Sequence, residues 1–178
     1  DCGKLMYSID HGKIRPSKSL ADSLAAMLNK QKEFIMIDEQ KVVYELGMSA
    51  IRKSSVSQSG KQVIVVRGGP GTGKSVVAIN LLVEALGEEF NALYVTKNSA
   101  PRAVYESKLT GVLTRSAYSS LFKGSGGFTT SGTDSFDAIL VDEAHRLNEK
   151  SGLYSNLGEN QIKELINAAK CTVFFLDE

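Results

Sequence analysis

The sequence predicts an α/β protein, a three-layer sandwich with a mainly parallel sheet. Three observations carry that expectation. Short β-branched apolar runs alternate with stretches of helical length from residue 62 onward. Glycine-rich or polar turns separate the runs. The first run leads straight into a glycine-rich loop and then into a second apolar stretch, VIVVRGGPGTGKSVVAINLL at residues 63–82. Strand and helix in alternation imply parallel strands with helices on both faces.

The elements follow in chain order. Leu20, Leu24, Met27 and Leu28 recur at helical spacing, so residues 19–30 read as an amphipathic helix. EFIMI is strand-like and ends at Asp38, which can cap a helix to about residue 52 with Val43, Leu46 and Ala50 on one face. KSSVSQSG reads as a linker. QVIVVR is β-branched and apolar between Gln62 and Arg67, as a strand buried on both faces should be. A helix over residues 73–86 follows, stopped by Gly87. ALYVT is a strand, and NSAPRAVYESKL a helix capped by Asn98 or Ser99 with Pro101 in its first turn. KGSGGFTTSGTDS reads as a mobile surface loop. DAILV, ENQIKELINAAK and TVFFL complete the pattern as strand, helix and strand.

Composition excludes several classes. With 42% apolar and 23% charged residues, the 178-residue chain reads as one globular domain. No apolar run approaches the roughly 20 residues of a membrane helix, and no signal peptide opens the chain. Cys2 and Cys171 lie at opposite ends without metal-ligand spacing, so a reducing, cytoplasmic setting is expected. Net charge is +1, without a global basic field. Residues 97–123 nevertheless hold five bases against one acid, and residues 134–178 nine acids against four bases. The chain starts without Met and stops on TVFFLDE, so it reads as a piece of a longer protein.

Residues 68–75 match G-x-x-x-x-G-K-[ST], the Walker A pattern, at every fixed position. Chance coincidence occurs at on the order of one position in tens of thousands, given glycine's usual frequency. The loop Gly69, Pro70, Gly71, Thr72, Gly73 must curl its N–H groups toward phosphate oxygens. Lys74 brings positive charge to the β and γ phosphates, the Ser75 hydroxyl can ligate Mg²⁺, and Val76 continues into the helix whose positive end faces the anion. No G-x-G-x-x-G is present, so a dinucleotide fold is not expected.

A phosphate loop needs an acid on another strand, and FDAILVDEAHRL supplies it as a Walker B pattern. Asp142 follows four apolar residues, at the carboxyl end where ligands collect in such sheets. It would hold Mg²⁺ through water with Ser75 as the other anchor, and Glu143 would deprotonate the attacking water. His145 reads equally as a coupling residue or a structural one.

GGPGTGKS, TKNSAPR and ILVDEAHRL together resemble superfamily 1 helicase motifs. With IDEQKVVYE and KNSAPRAVY they are most similar to the Schlafen-type DNA/RNA helicase-like domain, over most of the chain. The resemblance implies a RecA-like P-loop NTPase lobe with TVFFL inserted between the phosphate-loop strand and the AILV strand. It implies ATP and Mg²⁺ as cofactors, Lys74 and Glu143 as catalytic residues, and Gln40 as the reader of the adenine edge. Asn98, Ser99 and Arg102 match the motif where a helix start holds a nucleic-acid phosphate, of single-stranded DNA or RNA. LTRSAYSSL resembles a further strand-contacting motif, departing from it where Tyr118 replaces a usual histidine. Asp177 matches the start of a motif whose γ-phosphate-sensing glutamine would lie beyond Glu178. A second RecA-like lobe, bearing an arginine finger, is expected outside this chain.

The implied organisation is a helical lead-in over residues 1–60, carrying Gln40 and packed on the core, and a C-terminally truncated NTPase core over 61–178. The function implied is the ATP-binding lobe of an ATP-dependent helicase or translocase, with little turnover by this chain alone. An ATP-controlled regulatory or assembly switch is the rival from another class. A nucleotide kinase or GTPase is disfavoured, since those use no glutamate after the strand-end aspartate and no N-K-x-D motif appears.

Overall fold

Five strands form one sheet: β1 (Gln62–Gly68), β2 (Ala92–Thr96), β3 (Phe122–Lys123), β4 (Phe136–Asp142) and β5 (Ala169–Asp177). The computed structural model describes residues 22, 24–26, 28, 34–56, 60–98, 114–151 and 157–178. Strand order is β1-β5-β4-β2-β3, and every pair is parallel. The last strand thus lies between the phosphate-loop strand and the strand ending in Asp142. Register then levels the carboxyl ends, with Gly68 beside Asp177 and Thr96 beside Asp142.

Helices α1 (Asp38–Ser54), α2 (Lys74–Gly87), α3 (Arg115–Leu121) and α4 (Gln161–Ala168) cover the sheet. Alternation along the strands sends successive side chains to opposite faces. Tyr94, Leu140, Val173 and Phe175 join Met48 and Ile51 of α1 and Leu81 and Leu82 of α2 in one core. Leu93, Val95, Ile139, Val141 and Phe174 pack with Leu165 and Ala168 of α4 in the other. Residues 22, 24–26 and 28 are helical, and Leu24 and Leu28 reach the first core. Among the described residues no helix is long and apolar enough to cross a membrane.

Several expectations are corrected. β1 is not buried on both faces: it pairs only with β5 among the described strands, and Val63 and Val65 are 47% and 51% exposed. This largely apolar run therefore lies at the edge of the sheet formed by the described strands. Of EFIMI, the described residues 34–37 form no strand, because nothing described pairs with them; Phe34 is buried as an anchor while Ile35 and Ile37 are exposed. Asp38 is the first helical residue of α1 and Ile37 the cap, since the Gln40 side chain accepts the Ile37 N–H at 3.1 Å. The buried face of α1 is Gly47, Met48, Ile51 and Ser54, and Leu46 is exposed.

Gly87 does not stop α2 by a left-handed turn. Glu89 takes that conformation (φ 63), with Glu89 N–H on Leu86 O and Phe90 N–H on Ala85 O, a Schellman closure. The loop after α3 is pinned rather than loose, because Phe128 is buried against Phe136. β3 is a two-residue addition that no periodicity could announce. α4 stops at Ala168 because Ala169 and Lys170 already belong to β5. The helix expected over residues 98–109 lies outside the described residues beyond Asn98.

Candidate functional site

The loop between β1 and α2 is shaped by glycine where the backbone demands it. Gly71 and Gly73 have φ of 77° and 81°, a region that side-chain-bearing residues seldom adopt. Gly73 is the N-cap of α2, so the leading amides of that helix have no acceptor within it. A Cβ on Gly73 would fall 2.1 Å from Gln40 Nε2. That contact is specific, since Gln40 Nε2 donates to Thr72 O at 2.8 Å. Gln40 thus lies against the phosphate loop, its amide shared between Ile37 and Thr72.

Lys74 lies folded over its own loop. Its ammonium donates to Gly68 O at 2.8 Å and Gly69 O at 2.7 Å, and pairs with Asp177 Oδ1 at 2.5 Å. Carbonyl and carboxylate oxygens thus engage its donors. Asp177 arrives there because β5 runs in register with β1. The hydrogen bond from Lys74 holds its carboxyl below the usual carboxylate range, and His145 and Arg146 act in the same direction.

Ser75 and Asp142 meet across the sheet, Ser75 Oγ donating to Asp142 Oδ2 at 2.7 Å. Asp142 is 2% exposed, and its other oxygen accepts the Glu143 N–H at 3.0 Å. A half-buried hydroxyl and a buried carboxylate in contact are hard oxygen donors of the kind Mg²⁺ prefers, so the residues fit that ion. Glu143 has left-handed backbone (φ 53), which few residues with a Cβ adopt and which recurs at functional turns. Its carboxylate accepts from Arg146 Nε at 2.9 Å and lies 3.4 Å from His145 Nε2. His145 Nδ1 accepts the Asp177 N–H at 3.3 Å, tying the end of β5 to the turn after β4. Glu143, His145 and Asp177 could gather around one cation, their ligand atoms lying within 4.8 Å. Arg146 and Lys74 already balance the two carboxylates.

Every Walker A and Walker B residue expected from sequence converges at the carboxyl ends of β1, β4 and β5. Pro70, Gly71 and Thr72 are exposed, while Gly69, Lys74, Ser75 and Val76 are half-buried. Asn98 lies just past β2, and Ser99 and Arg102 fall outside the described residues. Tyr118 is buried on α3, stacked on Phe122 at 4.4 Å, so it is not a surface contact. The turn chemistry of α3 comes from Thr114, which accepts the Ala117 N–H.

Sequence reading missed two partners. Tyr94 donates to Asp142 Oδ2 at 2.5 Å. The available signal was a tyrosine within an otherwise apolar strand, whose hydroxyl must find an acceptor when buried. The Lys74–Asp177 pair had no signal, because only the β1–β5 register brings the two together.

Residues 61–178 match the family described as Schlafen group 3, DNA/RNA helicase domain. The chain belongs to this family. No curated protein matches the chain significantly. Membership makes the chain helicase-like and implies interaction with nucleic acid in general. The matched segment begins one residue before β1 and runs through β5, taking in the phosphate loop, Asp142 and Glu143.

Proposed function

We propose that the chain is the ATP-binding lobe of an ATP-dependent DNA or RNA helicase or translocase. The observation that supports this best is the 2.7 Å contact of Ser75 Oγ with Asp142 Oδ2 at the start of α2. It joins the phosphate loop to a strand-end carboxylate where an anion would meet the helix N-terminus. Lys74 would exchange its loop carbonyls and Asp177 for phosphate oxygens. Ser75 and Asp142 would hold Mg²⁺, whose charge offsets that developing on the phosphates. Glu143, released from Arg146, would take a proton from the attacking water. The new oxygen–phosphorus bond forms at the γ-phosphate as its bond to the bridging oxygen breaks, leaving ADP and phosphate. Gln40, which donates to Thr72 O beside Gly73, would exchange that bond to read adenine.

Single-stranded nucleic acid would bind along the segment after Asn98, and a second lobe would complete the motor. Binding of a fluorescent ATP analogue tests the nucleotide reading. The chain binds it with Mg²⁺, and Lys74→Ala weakens binding at least about tenfold, the worth of one charge-assisted contact. Equal affinity for both proteins refutes the reading. Vigorous hydrolysis by residues 1–178 alone, lost in Lys74→Ala, refutes the expected second lobe.

The contact of Arg146 with Glu143 favours keeping a second reading, an ATP-controlled switch that unwinds nothing. An engaged base suits a site held at rest until a partner acts. An ATPase rate of the longer protein that is unmoved by single-stranded DNA or RNA favours the switch; stimulation favours the motor.

A further inference from the structure

We propose that Tyr94 is a positioning residue for Asp142, holding that carboxylate in its metal-competent orientation. The inference rests on the Mg-ATP reading above and adds a residue that neither Walker pattern contains.

Among the described residues three donors reach the Asp142 carboxylate: Ser75 Oγ at 2.7 Å, the Glu143 N–H at 3.0 Å and Tyr94 Oη at 2.5 Å. The first two have tasks of their own. Ser75 would turn its oxygen to the metal, and Glu143 belongs to a turn whose side chain must leave Arg146. Tyr94 has no such task. It lies on β2 with 0% exposure, two residues before the strand ends, on the face that carries Leu140 and α2.

Its ring is also prevented from turning. Phe122 of β3 packs against it at 5.3 Å and 49°, and Tyr118 of α3 stacks on Phe122 at 4.4 Å and 10°. The hydroxyl is thereby fixed by packing rather than by the groups it serves. Among the described residues no other side chain besides Ser75 donates to Asp142. Thr96 pairs with Asp142 across β2 and β4 and is fully buried, yet its hydroxyl has no hydrogen-bond partner among the described residues. When Ser75 turns to the ion, Tyr94 is the side-chain donor that keeps Asp142 from rotating. Partners that orient a metal-holding group in this way contribute about 10- to 100-fold to metal affinity.

The test is Tyr94→Phe, which removes one oxygen and keeps the ring stack. Fluorescent ATP-analogue binding is followed across a Mg²⁺ titration and again in EDTA. The expected result is a rise of about tenfold in half-saturating Mg²⁺, with metal-free nucleotide affinity within about twofold of the parent chain. A merely structural tyrosine would move both affinities together. An unmoved Mg²⁺ requirement, or an equal loss in EDTA, overturns the role of Tyr94 and leaves the nucleotide reading intact. Failure of the unsubstituted chain to bind the analogue overturns both.

Should Tyr94→Phe not fold, 3-fluorotyrosine NMR on the otherwise unsubstituted chain decides. Single Tyr→Phe replacements at the other five tyrosines identify the Tyr94 signal by elimination. That signal moves when Mg²⁺ joins bound nucleotide and stays still when nucleotide binds in EDTA. A signal indifferent to Mg²⁺ refutes the proposal.

Discussion

Replacing Gly73 with alanine perturbs two separable interactions, and their sizes follow from the loop. Gly73 has φ of 81°, where a residue with a Cβ is strained by about 1–2 kcal/mol. The new Cβ would also meet Gln40 Nε2 at 2.1 Å, so the Gln40 side chain must leave Thr72 O. Losing that hydrogen bond costs about 1 kcal/mol more. Gly73→Ala is therefore expected to destabilise the nucleotide-free chain by about 2–3 kcal/mol. For a chain of this size that lowers Tm by roughly 4–12 °C. In a Gln40→Ala background the bond is already absent and the side chain that would clash is gone. The same glycine substitution then costs only the backbone strain. Urea melts of the four proteins measure the difference, and the coupling should be about 1 kcal/mol. An equal cost of Gly73→Ala in both backgrounds refutes the docking of Gln40 on the phosphate loop. The cycle needs no nucleotide, so it tests the geometry independently of the function.

Two further expectations follow from ion pairs. Asp177→Asn frees Lys74 from its partner and removes a negative charge beside the incoming phosphates, so ATP-analogue affinity in EDTA should rise about two- to fivefold. The gain is full above the ordinary carboxylate range, where Asp177 is ionised, and disappears as pH falls through its depressed pKa. A fall in affinity at neutral pH contradicts the competition. Arg52 donates to Glu88 through Nε and Nη2, joining α1 to the end of α2, and the hydrogen bond lowers the Glu88 pKa. Because the folded pKa is the lower one, the contribution is present above the ordinary carboxylate range and is lost as pH falls through the depressed folded value. Both side chains are partly exposed, so Arg52→Gln should cost no more than about 1 kcal/mol near pH 7. Denaturant melts should show that difference shrinking under acid; a cost that persists there assigns Arg52 a packing role instead.

Much of the site was legible because its chemistry is local. Lys74 and Ser75 follow the loop within one turn, and Asp142 and Glu143 close one apolar run. Their placement needs only residue type, spacing and the direction of the chain. Periodicity served less well where partners decide burial. Leu46 belongs to an apolar set along α1, yet it faces solvent because the helix meets α2 through Gly47, Met48 and Ile51. QVIVVR looked covered on both faces, yet Val63 and Val65 are exposed on one of them and the strand lies at the edge of the described sheet, because hydrophobicity does not record what covers a strand.

The sequence by itself determined the α/β class, the phosphate loop and the strand-end acids, since each depends on contiguous residues whose torsions and periods are properties of the chain. Tertiary structure alone decided which carboxylate occupies Lys74 and which hydroxyl steadies Asp142. Asp177 lies 103 residues from Lys74 and Tyr94 lies 48 from Asp142. Only the parallel register of β5 on β1 and of β4 on β2 puts those pairs within hydrogen-bonding reach. Register is set by packing of the whole sheet, a property that no window of the sequence contains.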